Sequence, residues 1–153
     1  SSDDVGNTRQ TATDLIAMPP ESSERFTYFR SRSYQLDRGD VDYFRVRLNQ
    51  RADLLIVSDT PNRSNKTDTY GTLMTSTGRV LMRNDDSTSD PPHFFLGMTN
   101  LAAGTYYVEV KGALSSSAGE YELWTGTRIP GAGKAVADPF NVEEIREDVA
   151  QRR

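Results

Sequence analysis

A chain of 153 residues with net charge −4, no cysteine and only 35% apolar residues is about one domain, with a thin core and much polar surface. The lack of cysteine excludes disulfides, thiolate metal sites and a cysteine nucleophile. Lys and Arg are scattered among acids, which argues against nucleic acid as a partner, and no run approaches the roughly 18 apolar residues of a membrane span.

The start at Ser1 reads as a processed or excised segment whose targeting peptide is already gone. Residues 1–23 are polar and turn-prone, with Pro19-Pro20 near their end, and read as an irregular amino-terminal segment that folds onto the rest of the domain. From Arg25 the period becomes two. Phe26 and Tyr28 alternate with Thr27. Between Val41 and Leu48, Phe44, Val46 and Leu48 share one face while Tyr43, Arg45 and Arg47 share the other, the mark of a half-buried strand. Leu54-Leu55-Ile56-Val57 is apolar on both faces, as a central strand is. The next stretch is a polar loop, whose Asn62-Arg63-Ser64 and Asn65-Lys66-Thr67 are triplets of glycosylation type. Thr72 to Thr75 and Arg79 to Arg83 flank Ser76-Thr77-Gly78 and predict a hairpin. His93 to Met98, Thr105 to Val110 and Glu120 to Thr125 complete the set, separated by turns rich in Pro, Gly and Ser.

About eight or nine short strands, with no helix before residue 138, predict an all-β fold: an antiparallel β-sandwich or jelly roll over residues 24–127. Its core is expected to include Phe26, Phe44, Ile56, Leu81, Phe95 and Val108. Residues 128–137 form a Gly/Ala/Pro linker. Gly131-Ala132-Gly133-Lys134-Ala135 lacks the first Gly and the Ser or Thr of a phosphate loop. Residues 138–153 read as a short helical tail, capped by Asp138-Pro139 or by Asn141 with Glu144. Val142, Ile145 and Val149 fall on one narrow face. A helix of this length is marginal alone, so it should dock on the sandwich, join a partner or lead into a further domain.

Several phrases recur in a telling order: Asp4-Val5-Gly6-Asn7-Thr8 with Ala12-Thr13, then Gly39-Asp40-Val41-Asp42-Tyr43-Phe44, Asp68-Thr69, Gly71-Thr72-Leu73, Asn84-Asp85-Asp86, and Ala103-Gly104-Thr105-Tyr106-Tyr107-Val108. Over roughly residues 3 to 127 this order resembles the bacterial pre-peptidase C-terminal domain. The resemblance implies a β-sandwich module appended to secreted proteases and other exported or surface proteins, without catalysis of its own. Some relatives bind Ca²⁺ and grip a protein substrate. Collagen is not implied as the ligand, because binding surfaces diverge while a sandwich persists.

Carboxylates pinned at strand ends suit a hard cation such as Ca²⁺. Asp40 and Asp42, two apart on an extended chain, share a face and repel unless a cation or donor sits between them. If the amino-terminal segment crosses that strand end, Asp4 and the Asn7 amide oxygen complete an oxygen cage. These four residues match, position by position, the set that the resemblance implies for calcium-binding relatives. The alternative is a group of solvated turn residues. Asp68, Asp85 and Asp86 form a second cluster at one end of the predicted hairpin, either a second Ca²⁺ site or an Asx-type turn network.

Tyr43, Tyr70, Tyr107 and Trp124 alternate away from the predicted core faces. On a sheet they can form a flat platform for an extended peptide or a sugar ring. Cover by a second layer or by the tail helix is the alternative, and it suits Trp124 best because Val142 and Ile145 need an apolar rest. His93 is the only histidine. With no Gly-x-Ser-x-Gly turn it reads as a surface or packing residue. The reading is therefore a non-enzymatic, Ca²⁺-stabilised module of a secreted, periplasmic or cell-surface bacterial protein. It would bind a protein substrate or assist a neighbouring domain of a larger chain. Alternatives are a carbohydrate-binding module taking a polysaccharide, and a structural spacer or oligomerisation element acting through the tail.

Overall fold

The computed structural model describes residues 5–21, 25–61, 66–85, 93–130 and 140–153. The elements in chain order are a 3-10 turn at Arg9–Thr11, β1 (Thr13–Leu15), β2 (Thr27–Arg30), β3 (Tyr34–Leu36), β4 (Val41–Leu48), β5 (Ala52–Asp59), β6 (Thr69–Thr75), β7 (Val80–Asn84), β8 (Phe95–Leu101), β9 (Gly104–Gly112), β10 (Gly119–Arg128) and α1 (Val142–Arg152).

Alternation drives the packing. Along β4, Asp42, Phe44, Val46 and Leu48 are buried, and the residues between them face outward. On β9 the buried set is Tyr106, Val108 and Val110. The two strands pair antiparallel with Phe44 opposite Val108. This first sheet runs β1-β4-β9-β6-β7. The β6–β7 hairpin turns at Gly78, whose φ of 91° is a conformation that side chains oppose. The second sheet runs β2-β10-β5-β8, with β3 also paired to β10. Between the β2 and β3 pairings, Ser31 N donates to the Leu123 carbonyl and Leu123 N to Ser31 Oγ, both at 2.8 Å.

The sheets pack face to face around Phe44, Leu54, Ile56, Leu73, Val108 and Leu123. A second apolar cluster lies on the other side of the second sheet: Phe26, Leu55, Val57, Phe95 and Trp124 pack under Ile145 and Val149 of α1. All eight residues of β5 are buried because both its faces are covered. Phe26 and Phe95 therefore belong under the helix rather than between the sheets, and Leu81 is only half-buried.

The fold is the all-β sandwich that the alternation predicts, with ten strands rather than eight or nine. The extra strands are β1 and β3, three residues each. β1 lies inside the segment read as irregular and pairs with β4 in parallel, Thr13 opposite Phe44. A three-residue edge strand is set by its neighbour, not by its own pattern. The helix cap is Asn141, whose Oδ1 accepts from Glu144 N at 3.0 Å; Asp138-Pro139 lies outside the described residues.

At one corner the two sheets meet edge to edge. Phe95 N donates to Asn84 Oδ1 at 3.0 Å, and Gly97 N to Met82 Sδ at 3.2 Å. Side chains of β7 thus satisfy two outward amides at the start of β8.

Candidate functional site

The outer face of the first sheet carries three of the four platform residues on three adjacent strands. Tyr43 stands on β4, Tyr107 on β9 and Tyr70 on β6, each half-exposed. Register sets their neighbours. One row holds Val41, Lys111 and Tyr70, the next Tyr43, Glu109 and Thr72, and the third Arg45, Tyr107 and Met74. Within these rows the polar groups are tied to one another. The Tyr43 hydroxyl donates to Glu109 Oε2 at 2.6 Å, and Arg45 Nε to Asp14 Oδ1 on β1 at 2.6 Å. Lys111 Nζ lies 5.2 Å from the Tyr70 ring centre. Burial, and then the bond to Glu109, push the Tyr43 hydroxyl up to about 12. Arg45 holds Asp14 below the usual carboxylate range.

The face ends at a rim with an open groove of about 330 Å³, lined by Asp40, Val41, Tyr70, Lys111 and Leu114 among others. The acidic residues gather along this rim. Asp42 falls on the inward side of β4, while half-buried Asp40 precedes the strand and lines the groove. Asp40 Oδ1 accepts from Val41 N at 3.2 Å, and Asp42, wholly buried, accepts from the Tyr121 hydroxyl at 2.5 Å. The amino-terminal segment passes beside them: Val5 is in the core, and the Gly6 carbonyl accepts from Tyr43 N at 2.8 Å. Asn7, the next residue, is exposed. Asp68 precedes β6, two strands from β4 and about 10 Å across the sheet, and exposed Asp85 follows β7, about 14 Å across. The second cluster is thus separate from the first. Asp4 and Asp86 lie outside the described residues. Asp40 and Asp42 fit part of an oxygen site for a hard cation. Among the described residues, however, no three of His, Cys, Asp and Glu gather to hold a metal.

Trp124 does not belong to the platform. It is 2% exposed, on the other sheet, packed beneath α1 with Phe26, Leu55, Val57, Phe95, Ile145 and Val149. Alternation correctly turns it away from the inter-sheet core, but a helix covers that outer face. Arg146 on α1 and Arg153 just after it strengthen the cover. Arg146 donates to the carbonyls of Ser58 and Phe94, both at 2.9 Å, and Arg153 Nε lies 2.6 Å from Asp59 Oδ2. Sequence reasoning passed over these residues. Their spacing of seven places them on the stripe of Val142, Ile145 and Val149, which was the available signal.

Beside them lies His93. Its Nε2 is 2.7 Å from Thr60 Oγ1, and its Nδ1 is 4.0 Å from Asp59 Oδ1. A hydroxyl, an imidazole and a carboxylate in this order have the outline of a nucleophile–base–acid trio. All three are buried, with His93 and Asp59 at 0% exposure and Thr60 at 2%. The cluster ties the ends of β5 and β8 to the helix.

The fold and this face define a class: a two-sheet sandwich module with one sheet face capped by a helix and the other open. The architecture is that of the pre-peptidase C-terminal domain of collagenase from Bacillus anthracis, to which the chain is similar with a TM-score of 0.50 and 15% identity over 74% of this chain and 92% of that one. The likeness read in the sequence thus has its counterpart in the fold. A periplasmic inhibitor of g-type lysozyme from Aeromonas hydrophila matches at a TM-score of 0.42 and 10% identity over 76% of this chain and 98% of that one. No family model matches the chain, and no curated protein matches it.

Proposed function

We propose that this chain is a non-catalytic binding module of a bacterial protein that works in the periplasm, at the cell surface or outside the cell. It holds an extended protein ligand on the outer face of its first sheet. The observation that carries this reading is the placement of Tyr43, Tyr107 and Tyr70 on the outer face of three adjacent strands, in three successive rows that end at an open groove lined by Tyr70. Tyrosines offer large contact area with little conformational freedom to lose, and their charged neighbours supply hydrogen bonds along the same rows. The apolar stripe of α1 rests on its own sandwich, which argues against tail-driven assembly.

In this reading Ca²⁺ binds at the rim through Asp40 and Asp42. Asp4 and Asn7 contribute from the amino-terminal segment, which the ion fixes against β4. Asp68, Asp85 and Asp86 serve the turns around the β6–β7 ribbon.

Two measurements test the proposal. Wild type and the Tyr43→Ala/Tyr70→Ala/Tyr107→Ala variant are compared on arrays of extended peptides and of glycans. Peptide binding by wild type that the variant loses supports the reading. Binding confined to glycans transfers the face to a polysaccharide ligand, and equal binding by both proteins removes the face from the function. Thermal melting with millimolar Ca²⁺ and with chelator tests the ion. A higher Tm with Ca²⁺, reduced in Asp40→Asn, is expected; superimposable curves would dismiss it.

A further inference from the structure

Gly6 and Thr13 occupy consecutive places on the edge of β4. The Gly6 carbonyl accepts from Tyr43 N, and Thr13 lies opposite Phe44, the next residue. Residues 7–12 therefore leave the sheet and return to it within one strand step. The excursion closes on itself. Thr8 and Thr11 hydroxyls are 2.8 Å apart, and Thr8 N donates to Thr11 Oγ1 at 3.2 Å. A Cβ on Gly6 would collide with the Thr11 carbonyl at 1.7 Å, so the stem of the loop requires glycine. A loop closed this tightly presents Arg9 from a fixed base.

Arg9 reaches away from that base. Its guanidinium donates to the Ser76 carbonyl at 2.8 Å, at the tip of the β6–β7 hairpin, and rests against Gly78. The path starts at the edge of β4 and ends beyond β6, two strands and about 10 Å away. The interior side of the sheet is filled by core side chains, so the crossing runs over the outer side. The charge of Arg9 reaches the Tyr43 hydroxyl, where it opposes the upward shift, in keeping with a crossing on that outer side.

We propose that Arg9 is a strap across the tyrosine face, closed in this structure and released from Ser76 when a ligand occupies the rows beneath it. The proposal rests on reading that face as the ligand surface and concerns its regulation. One exposed, charge-assisted hydrogen bond holds the strap, so its opening should be easy and its removal measurable.

The test compares wild type, Arg9→Ala and Arg9→Lys. Acetylation of tyrosine hydroxyls by N-acetylimidazole, mapped by mass spectrometry without ligand, reports the cover. Tyr107 or Tyr43 should react about five-fold faster in Arg9→Ala, the factor that about 1 kcal/mol represents, with Arg9→Lys between. Equal rates in all three proteins would overturn the strap whether or not the face binds anything. The extended-peptide array is then run on the same proteins. Stronger retention by Arg9→Ala supports regulation, and equal retention despite faster acetylation overturns it. Faster acetylation with no retained peptide on either protein counts against the ligand-surface reading, and regulation falls with it, while the cover stands on its chemical readout.

Discussion

The two sheets turn opposite kinds of face outward. On the first, the outward positions of β4 and β9 hold Tyr43, Arg45, Arg47, Tyr107, Glu109 and Lys111. On the second, the outward positions of β5, β8 and β10 include Leu55, Val57, Phe95 and Trp124. The same two-residue period produces both. Composition separates their fates: the first face can meet water because its polar groups pair along the rows, whereas the second must be covered. An exposed patch with these four residues would be an aggregation site, so α1 is a requirement of the second sheet rather than an appendage.

The largest expected effect lies under the helix. Trp124→Ala should lower unfolding free energy by about 3–5 kcal/mol in urea denaturation, through lost burial and a cavity. Tyr107→Ala on the open face should cost less than about 1 kcal/mol. Equal costs would break the contrast between the faces. Arg146→Leu comes next. It deprives the carbonyls of Ser58 and Phe94 of a donor at a buried site and should cost about 2–3 kcal/mol. An unchanged midpoint would mean that apolar packing alone seats α1.

The smallest effect belongs to the open face. Asp14→Asn breaks an exposed pair with Arg45 and should cost about 0.5 kcal/mol at neutral pH after solvent screening. The folded state holds the Asp14 carboxyl below its ordinary range, so the unfolded state takes up the proton first as pH falls. The pair's contribution is complete above the ordinary carboxylate pKa, near pH 4, and is lost as pH falls through the lower folded value. A wild-type-minus-variant difference that grows with acidity would contradict that sign.

Alternation made β4 and β9 legible, because strong period-two patterns report local burial directly; an unbroken apolar run marked β5, and turn chemistry marked the β6–β7 hairpin. β1 and β3 were not legible, since three residues hold no period and both take their order from a neighbouring strand. The outward turn of Trp124 was legible. Its burial depended on a helix more than fifteen residues downstream. Asp42 shows the same limit in reverse: its parity with Phe44 put it inward, but only the fold supplies the Tyr121 hydroxyl beside it. Arg9 had no signal at all, because its role arises where an amino-terminal loop meets a hairpin tip 67 residues away.

The corner where Asn84 and Met82 answer the amides of Phe95 and Gly97 has a consequence for crowding. With those two donors occupied, the first part of β8 is a poorer template on which a neighbouring chain could add a strand. A strand arriving at that seam would meet side chains already bonded to the Phe95 and Gly97 amides, and would have to displace them before it could pair.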